Sequence, residues 1–532
     1  MSRRVTLSLV VLLLVVAGLL PVVAMVARSV VIDGHVSLEA YTGLLTTPRQ
    51  WTLLGNSLAL AVLVTLLAVG MGVPLGILLD RTDLPLRRPL AALFVVPLLV
   101  PPYILAVAWS DLVGRGGWLA PVIGTAAACA LDRLLFGLPG CVLVLTAVFL
   151  PVPLLLTMTF LRTVDPRLED AARLAGGWPD VLREITLPLV LPGVLLSALL
   201  VFVLAFGEYG VPAYLRFAVF SVESFTRFSA FYDFRAATAA ALPLAGVALV
   251  LLLVEHAFLR ERTCHLQPVP GQETRPVIGL GRYRGWLFGL VVLLLAVLVA
   301  APLGALVARA GGPSAYAEAL ARAGGSLARS LQYAAAGATL LAGVGFFIGY
   351  LVHTRALWCW RWVDSLAVFL LALPGTVLGI GLVGLWNTPW TGAVYGTPAI
   401  VLLGYLARYS ALTGRIAAAQ LAQIPPAMEE AAQVEGAGWW RRLVWIVAPL
   451  ARRGLLAAWL VGYLFALRDT GVTMLVYPPG KDTLPVRIFT LMANGSPRLI
   501  AALCVIMIGA TLLPAGALWA LAGSARGKGR RS

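Results

Sequence analysis

Apolar runs of about twenty residues recur along the whole chain and constrain its fold more than any other feature. A helix of that length crosses the roughly 30 Å hydrocarbon core of a bilayer. Of the 532 residues, 60% are hydrophobic and 12% are charged. The sequence therefore predicts an all-α polytopic membrane protein with twelve transmembrane helices. The twelve runs are Thr6 to Ala27, Thr52 to Ile77, Leu90 to Trp109, Leu138 to Leu161, Leu189 to Phe206, Ala237 to Phe258, Trp286 to Val307, Leu331 to Val352, Val363 to Leu385, Thr397 to Gln420, Pro449 to Leu467 and Arg498 to Ala520.

The first run follows the sequence MSRR and contains AMVA, so a cleaved signal peptide is the competing interpretation. The run is long enough to span a bilayer, and its removal would break the topology described next. We therefore expect it to be a transmembrane helix.

The formal net charge of +16 is mainly a topology signal. Lys and Arg collect in the cytoplasmic loops of membrane proteins. With the N-terminus inside, twelve crossings place 24 basic residues inside and 14 outside, and leave Arg408 and Arg415 within a helix. We expect both termini in the cytoplasm, and a lipid bilayer rather than nucleic acid around this basic chain.

The chain is also internally duplicated. Shifts of 273, 260 and 261 residues align proline, glycine and acidic positions of the first half with the same residue types in the second. Pro166, Glu169 and Gly176, for example, align with Pro426, Glu429 and Gly436. We expect two parallel six-helix repeats about a central pathway, as in many transporters. The predicted division is a first repeat at 1–260, a cytoplasmic linker at 261–285 and a second repeat at 286–532.

An acidic, alanine-rich insert interrupts each repeat, at 165–188 (the first insert) and at 425–449 (the second insert). Asp165 before Pro166 suits an N-cap with proline at the first helical position. Gly176 can then end the helix in a left-handed turn, and a second short helix can lead into the next span. Each insert thus predicts a helix-turn-helix on the cytoplasmic side.

The composition of the inserts favours docking of another protein. Small alanines let a second surface approach closely, and carboxylates offer charge-assisted contacts. A capped, solvated loop is the alternative, but two copies in equivalent loops favour docking. The candidate docking residues are Glu169, Asp170, Ala171, Ala172, Gly176, Glu429, Glu430, Ala431, Ala432 and Gly436.

The stretches EDAARLAGGW and EEAAQVEGAGWW resemble the EAA loop of the membrane subunits of bacterial ABC importers, whose pattern is Glu-Ala-Ala, three residues, Gly and a later Pro. The resemblance implies a permease of the bacterial inner membrane. It also implies two cytoplasmic ABC ATPase subunits docked on the inserts and an extracytoplasmic solute-binding protein. The first copy departs at Asp170, where Glu is usual, and the second has Ala448 before Pro449.

Fused double-length permeases with two such loops are typical of the ferric-iron branch and of its relatives that import thiamine, polyamines or phosphonates. FGEYGVPAYL and LRDTGVTMLVYPPG look like segments of the ferric-iron type. The resemblance thus implies ferric iron as cargo, with the other three classes as alternatives. A secondary transporter with two six-helix halves is the alternative from another class, and it would need ionisable coupling residues near the midplane.

The sequence YPPGKDT, from Tyr477 to Thr483, does not complete a phosphate-binding loop. Leu475 stands where that loop needs glycine, and Asp482 stands where it needs Ser or Thr. We therefore expect no ATPase site in this chain and no bound cofactor or metal. ATP would be used by the partner subunit.

Three charged residues are candidates for the transport pathway. Glu208 and Asp469 are equivalent under the shift of 261 and sit near the outer ends of two spans, where acids face a cavity, a partner or interfacial water. Arg408 falls at mid-depth in the tenth run, where an unpaired charge costs at least ~2.5 kcal/mol. It would form part of a gate or pair with an acid such as Asp364.

Overall fold

The structure, a computed structural model, describes residues 2–32, 35–37, 41–42, 46–231, 233–254 and 277–528. The greater part of the predicted linker lies outside the described residues. Eight helices of the described chain are long and apolar enough to cross a membrane. They are Arg3–Val30, Pro48–Arg81, Leu138–Leu161, Trp178–Phe206, Phe234–Leu251, Gly281–Ala310, Pro313–Thr354 and Pro497–Pro514.

Three further candidate spans are sharply bent. The helix pairs are Arg87–Leu99 with Pro102–Val113, Trp360–Ala372 with Gly375–Trp386, and Trp439–Leu450 with Arg452–Arg468, bent by 102°, 107° and 76°. Prolines explain the first two breaks, because Pro101 and Pro374 cannot continue a helix and push the preceding residue into an extended conformation. Counting each pair as one span gives up to eleven candidates in the described chain.

The tenth predicted run forms the continuous helix Ala399–Leu421. Arg408 and Arg415 make it less apolar than the other spans, and it falls outside the counted set. The all-helical, polytopic fold class predicted from the sequence is confirmed. The predicted number of twelve spans exceeds the counted eleven by this one helix.

Short elements connect the spans. The helices are Ala120–Ile123, Thr125–Leu135, Pro166–Arg173, Gly210–Tyr214, Phe220–Ser229, Gly392–Tyr395, Pro426–Val434, Thr473–Val476 and Leu484–Leu491. Two strands, Val31–Ile32 and His35–Val36, pair antiparallel. The helices Phe234–Val254 and Pro497–Lys528 extend beyond their membrane-crossing parts.

The chain folds into two compact units, and each unit combines segments of both sequence halves. The first unit consists of Met1–Pro48, Phe220–Ala248 and Gly312–Ser532, and the second of Arg49–Val219 and Leu249–Gly311. The first helix of each sequence half therefore belongs to the unit that is built mainly from the other half. The repeat division at 261–285 stays a prediction about sequence, since the compact units are partitioned differently.

In each unit, the exchanged first helix packs against the second arm of a bent span. In the first unit, a Cβ atom built at Gly381 would lie 2.9 Å from the carbonyl oxygen of Pro21, an approach that glycine alone permits. In the second unit, Arg309 Nε donates to Asp111 Oδ1 at 3.1 Å. The exchange is thus fixed by close backbone packing in one unit and by an ion pair in the other.

Candidate functional site

The first insert begins as the sequence predicts. The side chain of Asp165 accepts a hydrogen bond from the backbone N–H of Arg167 at 3.0 Å, and Pro166 opens the helix Pro166–Arg173. The chain then resumes as Trp178–Phe206, which runs without a break from the insert into the next span. The insert is therefore joined rigidly to that span.

The turns of the two inserts differ. The left-handed turn predicted at Gly176 is wrong, because Gly176 has no positive φ and Gly177 is extended with φ −81° and ψ 172°. The carboxylate of Asp180 accepts the N–H of Gly177 at 3.0 Å and stabilises this alternative turn. In the second insert, Gly436 does adopt φ +79°. The repeat shift changes from 260 to 261 within the inserts, so the first insert is one residue shorter, and it is also the insert whose turn has no left-handed glycine.

Glu169 lies inside the second unit and is 1% exposed. Its Oε2 lies 3.2 Å from Arg81 Nη1, and its Oε1 accepts from Thr186 Oγ1 at 2.9 Å. Arg81 Nη2 also donates to the Leu161 carbonyl at 2.9 Å. The prediction of Glu169 as an exposed docking contact is corrected, because its carboxylate anchors the insert to the end of the Pro48–Arg81 helix.

Glu429, the equivalent acid of the second insert, is held less tightly. Tyr350 donates its hydroxyl to Glu429 Oε1 at 3.1 Å and accepts from Trp439 Nε1 at 3.1 Å. Arg442 Nε lies 3.6 Å from the same carboxylate oxygen, and the Glu429 side chain stays 27% exposed. One insert is thus anchored by a buried ion pair, and the other by a half-buried aromatic and charged cluster.

The acids that follow the anchors point outward. Asp170 and Glu430 are exposed, as are Ala171 and Ala431, while Ala172 and Ala432 are half-buried. The EAA-type acid in each insert is therefore accessible, in contrast to the acid one position before it.

Each insert also presents an apolar stripe that is not among the docking residues predicted from the sequence. The first stripe consists of Leu168, Ala171 and Leu174, and the second of Met428, Ala431 and Val434, at matching positions under the shift of 260. Leu168 and Leu174 are 50% and 92% exposed, and Met428 and Val434 are 48% and 86% exposed. Residues three apart share a helix face. The sequence signal for both stripes is the repeat shift, because it aligns apolar residues of the two inserts.

Asp469 is not a pathway-lining acid, and this prediction is corrected. Its side chain is fully buried and accepts from Arg408 Nη1 at 3.0 Å and from the Tyr409 hydroxyl at 2.7 Å. It also accepts from the N–H of Val472 at 3.2 Å and from the N–H and hydroxyl of Thr473 at 2.9 and 2.8 Å. These five donors fix the Asp469 carboxylate, which in turn holds the chain that follows the Arg452–Arg468 helix in place.

Arg408 is paired, but with a different acid from the one expected. Its partner is Asp469, whereas Asp364 lies 3.9 Å from Arg415. The guanidinium packs directly against Gly375, at the break of a bent span. The structural alternative predicted for Arg408 is therefore the one that the contacts support.

Glu208 differs from its equivalent Asp469. It is half-buried, and its Oε1 accepts from the N–H of Gly210 at 2.9 Å. Its role in the pathway stays a prediction.

The eight to eleven candidate spans of the described residues make this chain a multi-pass membrane protein. Comparison with known proteins identifies the family. The chain is 35% identical over 205 residues to a probable molybdenum ABC transporter permease protein of Haloferax volcanii, covering 38% of this chain and 73% of the relative. The chain belongs to the ABC transporter permeases.

Two other relatives agree with this assignment. A putative 2-aminoethylphosphonate transport system permease protein of Salmonella typhimurium is 32% identical over 154 residues, 29% of this chain and 57% of the relative. A putative ferric transport system permease protein of Haemophilus influenzae is 22% identical over 419 residues, 74% of this chain and 65% of the relative. No family model matches the chain. The relatives are permease subunits, and the length of 532 residues fits the fused double type. The secondary transporter considered from the sequence is therefore set aside.

Proposed function

We propose that this chain forms the translocation pathway of an ATP-driven importer and that its two inserts each dock one copy of a cytoplasmic ABC ATPase subunit. The repeated, outward-facing apolar stripe carries this proposal. Leu174, directly after the helix Pro166–Arg173, is 92% exposed, and Val434, at the end of the helix Pro426–Val434, is 86% exposed. Apolar side chains so exposed at equivalent repeat positions are costly in water. A partner surface that covers both stripes removes that cost.

The charges around the stripes fit the same partner. Asp170 and Glu430 lie beside the exposed alanines and are free of the burial that fixes Glu169. An arginine or a backbone donor of the ATPase would form a charge-assisted hydrogen bond with each acid. The apolar stripe then supplies most of the contact area, and the acids fix the orientation.

The first insert can transmit force because it is anchored at both ends. The buried pair of Arg81 and Glu169 ties the insert to the Pro48–Arg81 helix, and Trp178–Phe206 continues from the insert into a span. When ATP closes the two ATPase subunits on each other, the inserts move with them. We propose that the attached spans follow, and that the pathway alternates between its two openings.

The placement in the cell follows from the same proposal. Both inserts and both termini lie in the cytoplasm, and the chain resides in the bacterial inner membrane, with ATP bound only by the partner subunits. A solute-binding protein outside the membrane delivers the cargo to this passage.

We propose ferric iron as the cargo. The support is the ferric transport permease of Haemophilus influenzae, which matches 74% of this chain, whereas the phosphonate and molybdenum permeases match 29% and 38% of it. Uptake of radioactive ferric iron, molybdate and 2-aminoethylphosphonate by cells with and without the gene tests this. Loss of ferric iron uptake alone is expected, and loss of molybdate or phosphonate uptake alone would overturn the assignment.

Docking is tested by filling the stripes. Ala171→Trp and Ala431→Trp place a large side chain at the centre of each stripe, and Ala127→Trp, at an exposed alanine of the helix Thr125–Leu135, is the matched control. We expect each single stripe variant, purified from its own host, to lose one of two copurifying ATPase subunits. The control is expected to retain both, and retention of both by the double stripe variant would refute docking at the inserts.

A further inference from the structure

The segment that leads into the first helix of the second repeat is bonded to the anchor of the first insert. We call residues 277–284 the second leading segment. The N–H of Ile278 donates to the carbonyl of Arg81 at 2.8 Å, and the N–H of Asp83 donates to the carbonyl of Ile278 at 3.3 Å. The N–H of Leu280 donates to Asp83 Oδ1 at 3.0 Å, and Arg284 Nε lies 3.9 Å from Asp83 Oδ2. The segment therefore holds the backbone of the arginine whose side chain fixes Glu169.

The segment that begins the first repeat makes the equivalent contact in the first unit. We call residues 2–6 the first leading segment. Arg3 Nη2 donates to Thr354 Oγ1 at 2.8 Å, and the Arg3 guanidinium lies 5.3 Å from the centre of the Tyr350 ring. Tyr350 is the residue that donates to Glu429. This segment therefore holds the side chain that fixes the second insert.

The two contacts fall on the same repeat position. Thr354 corresponds to Arg81 under the shift of 273, because 81 plus 273 is 354. The chemistry differs, with backbone pairing in the second unit and a guanidinium in the first. Two unrelated sets of contacts at one equivalent position indicate a shared mechanical role.

The helix that follows the second leading segment is also held at its far end. Arg309, near the end of Gly281–Ala310, donates to Asp111 at 3.1 Å and to the Gly116 carbonyl at 2.8 Å. Asp111 lies on the second arm of the bent span. This helix thus connects the anchor of the first insert to the bent span Arg87–Leu99 with Pro102–Val113 of the same unit.

We propose that each leading segment is a strap that positions the insert of the other repeat, so that motion of an insert is passed to the first helix of the opposite repeat. Asp83 and Arg3 are the positioning residues. This inference rests on the proposed docking of the ATPase at the inserts. It adds a route by which each docked subunit acts on both repeats, which a single insert joined only to its own span cannot do.

Hydrogen–deuterium exchange of the purified complex tests the straps. Asp83→Ala removes the acceptor for Leu280 and leaves the Arg81–Glu169 pair in place. Losing one such hydrogen bond corresponds to roughly 5-fold faster local exchange. We expect that acceleration at 277–281 and also in the helix Pro166–Arg173, with no change in Pro426–Val434.

The reciprocal variant and the controls make the test specific. Arg3→Ala is expected to accelerate exchange in Pro426–Val434 alone, whereas Arg4→Ala, at the exposed neighbouring arginine, changes neither insert. Asp83→Asn keeps an acceptor oxygen for Leu280 and is expected to restore most of the protection. Asp132→Ala, which removes the surface pair with Arg115 elsewhere in the second unit, is expected to leave both inserts unchanged.

The outcomes separate this inference from the docking proposal. If the ATPase copurifies with every variant while exchange in Pro166–Arg173 is unaltered by Asp83→Ala, the strap is refuted and docking stands. If no ATPase copurifies with the unmodified chain, docking fails, and the exchange result still decides whether the leading segments position the inserts.

Discussion

Removing Glu169 should release the first insert while the membrane-spanning part stays folded. In Glu169→Ala, the guanidinium of Arg81 would be left 2% exposed without its 3.2 Å carboxylate partner. Breaking a buried ion pair from one side costs about 3–5 kcal/mol. The insert has few other buried residues, so opening of the insert is the cheaper response.

The same substitution at Glu429 should cost less free energy than at Glu169. The Glu429 side chain is 27% exposed, and its arginine lies 3.6 Å away, so solvent screens that pair. We expect Glu429→Ala to cost about 1 kcal/mol, against at least 3 for Glu169→Ala. A cost of about 3–5 kcal/mol enlarges the open population of the first insert by roughly 150-fold or more, whereas about 1 kcal/mol enlarges that of the second insert by about 5-fold.

Limited trypsin digestion measures the population of molecules in which the first insert is open. Arg167 and Arg173 are exposed cleavage sites within the first insert, but cleavage requires the helix to open. When opening is fast, the cleavage rate follows the open population. We expect cleavage between the fourth and fifth spans to be at least about 150-fold faster in Glu169→Ala than in the unmodified chain, with the other fragments unchanged.

A double replacement provides the control. Arg81→Met combined with Glu169→Met exchanges the ion pair for packed apolar side chains, which is often close to neutral. That variant is expected to resist trypsin nearly as well as the unmodified chain. If the double variant is as labile as Glu169→Ala, or if Glu169→Ala is no more labile than Glu429→Ala, the anchoring role assigned to this pair is refuted.

Three further outcomes are expected. Gly436→Ala forces alanine into a left-handed conformation, costs about 1–2 kcal/mol and should weaken ATPase binding at the second insert several-fold in a titration. Gly375→Ala places a methyl group against Arg408 and should destabilise the protein by about 1–3 kcal/mol, measured as the midpoint of thermal loss of the monodisperse species in detergent. Asp469→Asn leaves Arg408 without its charged partner and should destabilise the protein by about 3–5 kcal/mol, which lowers the same midpoint further than Gly375→Ala does.

Each of these variants has a matched control in the chain. Gly438 has φ −61° and Gly343 has open space around it, so alanine at Gly438 should weaken ATPase binding far less than Gly436→Ala, and alanine at Gly343 should not destabilise the protein. Asp364→Asn removes an acid 3.9 Å from the half-exposed Arg415 and should cost less than about 1 kcal/mol. If Asp364→Asn and Asp469→Asn destabilise the protein equally, the structural role described for Asp469 is contradicted.

The sequence predicts the parts of this fold that depend on local chemistry. Apolar length defines the spans, and Asp165 with Pro166 defines the start of the first insert, because capping involves neighbouring residues only. Pro101 and Pro374 are helix breakers in the sequence, but the bends of 102° and 107° depend on packing of the two arms. The sequence therefore predicts continuous spans at both places, and the bends are seen only in the structure.

The pairing of buried charges could not be predicted in the same way. Asp364 and Asp469 are both separated from Arg408 by dozens of residues, and only the folded packing places Asp469 at 3.0 Å. The burial of Glu169 and the exposure of Asp170 could not be predicted for the same reason. Adjacent helix residues point about 100° apart, so one acid faces the unit and the next faces solvent, and the packing of the helix decides which.

The copy number of ATPase subunits on one permease chain tests the central claim most directly. Native mass spectrometry of the complex, purified through a tag on this chain, measures it without knowledge of the cargo. We predict one copy of this chain with two copies of an ABC ATPase, falling to one copy in Ala171→Trp and in Ala431→Trp. A complex without any ATPase, or one whose two ATPase subunits persist when both stripes are blocked, would contradict the account.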